Sequence, residues 1–259
     1  MKALLIDGLN LVRRVYAAVP GDEGTLEHFE GAVESMLGSI KRALNELAPT
    51  HVLCVFDAGG KTWRHEIYPG YKQERPPMPE TLRLNLHRVQ EVIEDLGVRS
   101  MSVPGVEADD VLATIAVKVA GRNGRAVILS TDKKMCQVAG ERILIRDHFA
   151  ARDLDHEYVR QKFGVDPAQL TSLFALVGDK SLNVPGVKSI GVRTAARLIA
   201  EYGTLDEILA NAENISGRPG TALRAEADQA RTWFTLMRLK TDVEVGINLN
   251  ELRWPPDPR

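Results

Sequence analysis

The chain is poor in cysteine, with two in 259 residues, poor in aromatic rings at 5%, and nearly balanced in charge, with 33 Lys and Arg against 35 Asp and Glu. Cys54 sits inside the apolar run Val52-Leu53-Cys54-Val55-Phe56 and Cys136 stands alone, which excludes a disulfide framework, a CxxC pair and a zinc-thiolate site. A reducing cytoplasm is the compartment that such usage fits. No apolar run reaches the roughly 18 residues of a membrane span. The start Met1-Lys2-Ala3-Leu4-Leu5-Ile6-Asp7 meets a charge too early for a signal peptide. A soluble protein that is not exported and has no membrane partner is expected. A net charge of −2 gives no global pull toward nucleic acid, so any such binding must come from local clusters. Neither GxGxxG nor GxxxxGK[ST] occurs in a strand-to-helix turn, which removes the common nucleotide-binding folds.

What is present is enough for a core. A chain of 259 residues that is 44% hydrophobic buries roughly 70–75% of its unfolded surface. Short apolar runs at residues 3–6, 51–56, 98–103, 126–130 and 142–145 read as strands buried on both faces. Between them, residues 25–47, 80–96 and 108–120 carry apolar side chains at helical spacing, for example Leu82, Leu86, Val89, Ile93 and Leu96. The alternation predicts an α/β fold with a mostly parallel sheet. After about residue 155 the strand signal stops and short helices are divided by Gly and Pro. Two parts are therefore expected, an α/β core over 1–160 and a helical region over 161–259. Within the second, 212–221 reads as a loop, 223–240 as a final helix packed through Trp233 and Phe234, and 254–258 as an extended tail.

Acidic residues fall where a parallel sheet gathers ligands, at the carboxyl ends of its strands. Asp7 ends the first strand, Asp57 the second and Asp132 the fourth, while Glu107, Asp109 and Asp110 follow the third at a helix start. Any one of these could be a helix cap. As a set, they would repel and raise one another's pKa unless a cation sat among them. An oxygen-only site without His or Cys points to magnesium or manganese. A phosphatase with Asp7 as nucleophile lacks its second acid, because Leu9 stands two residues on.

Cations and rings lie directly after Asp57. Lys61-Thr62-Trp63-Arg64-His65 and Tyr68-Pro69-Gly70-Tyr71-Lys72-Gln73-Glu74-Arg75 combine groups that neutralise phosphates with groups that stack on unpaired bases. In the helical part, Gly186-Val187-Lys188-Ser189-Ile190-Gly191-Val192-Arg193-Thr194 is a Gly-hinged turn feeding a helix. Such a turn can bind a DNA phosphate through backbone N–H groups, or it can be an ordinary helix hairpin.

The ordered series Asp7, Asp57, Tyr71-Lys72-x-x-Arg75, Glu107-Ala108-Asp109-Asp110, Thr131-Asp132-Lys133 and Gly178-Asp179-x-Ser181-x-Asn183-x-Pro185-Gly186-Val187-x-x-Ile190-Gly191 resembles the bacterial 5′-nuclease family. Polymerase-linked 5′-nuclease domains, phage 5′-exonucleases and stand-alone flap endonucleases belong to it, and this chain resembles the stand-alone type. The resemblance implies hydrolysis of DNA at 5′ single-strand/duplex junctions in replication and repair, by a monomer acting alongside a DNA polymerase. It implies Mg²⁺ held by Asp7, Asp57, Glu107, Asp109, Asp110, Asp132 and Asp179, with Asp109 the foremost direct ligand. It assigns Lys72 and Arg75, at the base of an arch or clamp over about 68–96, to the scissile phosphate. It makes residues 170–200 a helix-three-turn-helix, with K⁺ on the carbonyls of Leu176, Val177, Pro185, Val187 and Ile190, and DNA on Ser189, Ile190, Gly191, Val192, Arg193 and Thr194.

Two positions depart from the family pattern. Asp132-Lys133-Lys134 stands for Asp-Lys-Asp, and Leu182 stands for the second acid of Gly-Asp-x-Ser-Asp-Asn. Two carboxylates of a second metal site are thus replaced by a cation and an apolar side chain, which weakens that ion. Three readings stay open: DNA phosphates complete the site, Lys134 takes over part of its charge, or turnover is low. A junction-binding protein with little nuclease activity and a ribonuclease of a related acidic-site fold are the alternatives.

Overall fold

A computed structural model describes residues 1–255 of the chain, so most of the tail expected at 254–258 lies outside the described residues. Strand β1 (Lys2–Asp7) runs straight into α1 (Gly8–Ala18), followed by α2 (Leu26–Leu47) and β2 (His51–Val55). Next come α3 (Trp63–Ile67), α4 (Glu80–Leu84), α5 (Leu86–Asp95), β3 (Arg99–Met101), α6 (Ala108–Gly121) and β4 (Arg125–Leu129). The sheet ends with β5 (Ile143–Asp147) and β6 (Arg152–Asp153). The helical part holds α7 (His156–Phe163), α8 (Leu170–Val177), α9 (Val192–Tyr202), α10 (Leu205–Ala210), α11 (Gly217–Ala225) and α12 (Ala227–Met237).

The sheet order is β3-β2-β1-β4-β5-β6, parallel throughout except that β6 runs antiparallel to β5. Helices between the strands force this arrangement, because a parallel neighbour needs a crossover. Strand β1 is central, with Asp7 level with Val55 on one side and Ile6 level with Leu129 on the other. The residues that follow each strand therefore emerge at one edge. Along β1, Leu4 and Ile6 join a core with α1, α2 and α5, whereas Ala3 and Leu5 join a core with α6 that continues into α8, α9 and α12. The helical part thus shares one apolar core with a face of the sheet. Among the described residues, no helix is long and apolar enough to cross a membrane.

Three expectations need correction. The helix at 80–96 is broken at Asn85, whose Nδ2 donates to the Thr81 carbonyl at 2.8 Å and competes with the helical ladder. Residues 212–221 are not a loop throughout, since α11 begins at Gly217. Pro219 lies in its first turn, where no N–H partner is required. Gly220 is there for contact, because a Cβ would lie 1.7 Å from the Ile215 carbonyl oxygen. The helix expected at 223–240 is divided at Glu226 and ends at Met237. Trp233 is buried and meets Tyr68 edge-on at 5.0 Å, as expected of a packing residue.

Candidate active site and nucleic-acid interface

A cleft of about 300 Å³ opens at the carboxyl edge of the sheet, and Asp7, Asp57, Asp109 and Asp132 all line it. Asp7 is the N-cap of α1, accepting from Asn10 N at 3.1 Å and from Ser130 Oγ at 2.8 Å. Asp57 accepts from Ala108 N at 2.7 Å, so the second strand's acid caps the start of α6. Asp132 caps the short 3-10 turn Lys133–Val138 through Lys134 N at 2.8 Å. The cap and the site are therefore one arrangement. Asp57 and Asp132 cap through Oδ1 alone, whereas Asp7 accepts through both oxygens, and each keeps further lone pairs.

The carboxylates differ in electrostatic state. Asp7 is pushed up to about 8 by burial and by the charges of Asp109 and Asp132, against its two hydrogen bonds. Burial also raises Asp57. Asp109 is half-buried, and although desolvation pushes it up, Lys134 and Lys72 outweigh that and hold it below the usual carboxylate range. Lys134 Nζ lies 3.1 Å from Asp109 Oδ2 and 3.5 Å from Asp132 Oδ2, and these acids outweigh the burial of its ammonium and keep it charged.

Three expected metal carboxylates are not presented to the cleft. Asp110 is fully buried and accepts from Arg64 at 2.7 and 2.9 Å, from Trp63 Nε1 at 3.0 Å and from Lys240 N at 2.9 Å, which consumes both oxygens. Arg64 also donates to the carbonyls of Leu236 and Arg238, so this pair ties α3 and α6 to the end of α12. Glu107 accepts from Arg64 at 3.1 Å, Tyr71 Oη at 3.1 Å and Lys72 Nζ at 2.7 Å. It thereby holds the Lys72 ammonium in place. Asp179 caps the 3-10 turn Lys180–Leu182 through Ser181 N at 2.8 Å. The sequence pattern could not separate these, because Asp109 and Asp110 are adjacent and a helix sends adjacent side chains in different directions.

The same cleft is lined by Arg13, Arg14, Lys72 and Arg75. Lys72 takes a φ of 58° at a turn fastened by Lys72 N to the Leu182 carbonyl at 2.9 Å, and Asn183 Nδ2 donates to the Gly70 carbonyl at 2.8 Å. The basic segment is thus pinned to the turn after α8. Arg13 and Arg14 were not singled out in the sequence. They share the cleft-lining face of α1 with Leu9 and Asn10, three to five residues after that pair, and their place six and seven residues after Asp7, two turns along the helix it caps, is the signal that finds them.

The second interface is the turn between α8 and α9. Gly178 and Gly186 cross with positive φ of 80° and 72°, and a Cβ on either would lie 2.4 Å from the other strand's backbone. Ser189, Gly191, Val192 and Arg193 are exposed, Thr194 is half-buried, and Ile190 is buried so that only its main chain is available. Gly191 is the N-cap of α9, lacks a side-chain cap bond, and has open space where a Cβ would stand. The α9 start therefore presents free N–H groups. Of the five carbonyls expected to hold K⁺, Leu176 already accepts from Val187 N at 2.8 Å and Val187 from Ile190 N at 3.2 Å. Each carbonyl keeps a second lone pair.

Residues 2–164 match the model for the 5′-3′ exonuclease N-terminal resolvase-like domain, and residues 165–259 match the 5′-3′ exonuclease C-terminal SAM fold. The chain is 39% identical over 257 residues to a protein of Aeromonas salmonicida named flap endonuclease Xni, covering 98% of this chain and 97% of that one. It is 40% identical over 257 residues to a flap endonuclease Xni of Shewanella putrefaciens, covering 99% and 96%. In fold it is similar to T5 5′-exonuclease with bound divalent metal ions (zinc), at a TM-score of 0.80 and 22% identity over 93% of this chain and 90% of that one. A complex of bacteriophage T5 D15 flap endonuclease with DNA and metal ions is similar at a TM-score of 0.78 and 21% identity, over 92% and 89%. By both halves of its length, this chain belongs to the 5′-3′ exonuclease family.

Proposed function

We propose that the protein is a structure-specific 5′ flap endonuclease that hydrolyses DNA phosphodiester bonds at single-strand/duplex junctions in replication and repair. The observation that carries this reading is the cleft itself, which is lined together by the acids Asp7, Asp57, Asp109 and Asp132 and the bases Arg13, Arg14, Lys72 and Arg75. The cations can neutralise a phosphodiester's charge and the acids can hold a metal that cleaves it. The relatives' name supports the same substrate.

A hard divalent cation, Mg²⁺ in our reading, fits the donor chemistry, because the cleft acids come without His or Cys. The raised pKa of buried Asp7 is the strain that such an ion would relieve. Among the described residues, no three His, Cys, Asp or Glu are close enough to hold an ion by themselves. The ion would accordingly take much of its shell from water and DNA phosphate, as Mg²⁺ commonly does. When bound, it supplies a nucleophile at neutral pH and polarises the phosphate. Asp7, Asp57, Asp109 and Asp132 would hold it. Lys72, fixed by Glu107, and Arg75 would place and neutralise the scissile phosphate, with Arg13 and Arg14 on the adjoining one. The open α9 start, with K⁺ on the crossed turn, would grip the duplex by its backbone and read no sequence. In this reading the chain divides at 160/161 with a clamp at 68–96, acts as a cytoplasmic monomer, and works beside a DNA polymerase.

The purified protein, given a 5′-flap duplex with Mg²⁺ and K⁺, should cut near the junction, and Asp109→Ala should lower the rate by a factor of about 10² or more. Junction binding without any cut in the wild type would leave a DNA-binding protein in place of a nuclease. Equal rates in the two proteins would remove Asp109 from the site.

A further inference from the structure

The rings that the sequence places after Asp57 are not free to stack. Tyr71 is buried, Tyr68 meets Trp233 edge-on at 5.0 Å, and Trp63 donates to Asp110 while Arg64 and Lys240 lie over its ring at 4.3 and 4.4 Å. Among the described residues, which include all three Trp, five Tyr and six Phe, only Phe149 is exposed, at 42%. It stands in the turn from β5 to β6, at the same sheet edge as the cleft acids. That turn is braced, since Asp147 is buried and accepts from Ala150 N at 3.1 Å, and Arg146 pairs with Asp153 at 2.8 Å. Phe149 lines a small recess with Asn10 and Ser130, the two residues that donate to Asp7. The guanidinium of Arg14, which lines the cleft, lies 5.6 Å from the centre of the Phe149 ring.

We infer that Phe149 is the platform on which an unpaired base of the DNA substrate stacks beside the cleft, with Arg14 on that nucleotide's phosphate. A ring next to a guanidinium offers one nucleotide both partners, a face for its base and a cation for its charge. A lone exposed phenyl needs no explanation by itself. This one lies on a braced turn against a cleft cation, and the cation–π contact sets the two side chains relative to each other before DNA arrives. Bases inside a duplex already stack on their neighbours, so only an unpaired or terminal base can use the ring. The platform thus favours a single-strand/duplex junction and reads no sequence, because every base has a π face.

The inference rests on the flap-substrate reading above, and the two fail separately. Binding of the full chain would be measured by fluorescence anisotropy in chelator, so that nothing is cut, on a 5′-flap duplex, the same duplex with abasic flap nucleotides, and a blunt duplex. Phe149→Ala should weaken binding of the normal flap by about tenfold and leave the abasic flap and the blunt duplex as in the wild type. Phe149→Trp should bind the normal flap at least as tightly as the wild type, whereas Phe149→Leu, which keeps apolar bulk without a π face, should lose as much as Phe149→Ala. Unchanged affinity in Phe149→Ala, an equal loss on the abasic flap, or full binding by Phe149→Leu would overturn the inference. Cutting of the flap by the wild type with Mg²⁺ is read independently, so the nuclease reading survives each of those results. A wild type that neither cuts the flap nor prefers it to the blunt duplex would overturn both. Should Phe149→Ala fail to fold, Phe149→Leu against Phe149→Trp carries the test.

Discussion

Asp7 carries a pH signature that can be read without DNA. In the unfolded chain its carboxyl ionises near 3.8, whereas burial and the charges of Asp109 and Asp132 push it up to about 8 in the fold. Between those values the folded state binds the extra proton, so stability falls as pH rises. The contribution is complete below about pH 4 and lost as pH passes about 8. In chelator, Asp7→Asn should therefore melt above the wild type at pH 8, and the difference should shrink toward pH 5. Divalent ion should restore the wild type and not the variant. A wild-type advantage at pH 8 without metal would contradict this electrostatic picture. The residues that make the site were visible one by one as acids at strand ends. Which of them face the cleft was not, because Asp110 and Glu107 are claimed by Arg64, Tyr71 and Lys72 from a segment more than 30 residues away in the chain.

Among the elements, the turn between α8 and α9 depends on two glycines that cross. Gly186→Ala would place a Cβ 2.4 Å from the Val177 carbonyl carbon at a φ of 72°, and should cost at least about 2 kcal/mol. Thermal unfolding measures that loss. Gly191→Ala is the matched control, since its φ is ordinary and nothing lies within 4 Å of the new methyl. It should leave the melting temperature within about 2 °C, a shift below about 0.5 kcal/mol, while weakening duplex binding in fluorescence anisotropy. Unchanged affinity in Gly191→Ala would mean that no phosphate approaches the α9 start. The same turn was legible as a glycine-hinged helix entry. Helix α11 was not, because Gly217-Arg218-Pro219-Gly220 has the composition of a loop. Proline in a first turn and glycine beneath a carbonyl are packing solutions that composition cannot distinguish from a break. The interruption at Asn85 was hidden for the opposite reason, since one non-helical residue hardly disturbs the apolar period on either side.

Across the whole molecule, a net charge of −2 conceals a cleft with five basic side chains and a second basic turn at α9. If both touch phosphates, binding should weaken with salt, and each lost contact should lower the log–log slope by about 0.7–0.9. Arg13→Ala should reduce the slope on a 5′-flap substrate and not on a blunt duplex, whereas Arg193→Ala should reduce it on both. Equal slopes for Arg13→Ala and the wild type on flap DNA would remove α1 from the interface. The parallel α/β sheet, the acids at its edge and the family were determined by the sequence alone, because buried strands and strand-end residues follow from local pattern and order along the chain. The tertiary structure decided the rest: that Arg13 and Arg14 share the cleft, that Asp110 is a strut, and that Lys134 sits between Asp109 and Asp132. Those outcomes depend on distances between segments far apart in the chain, and burial and charge set them only once the fold has brought the segments together.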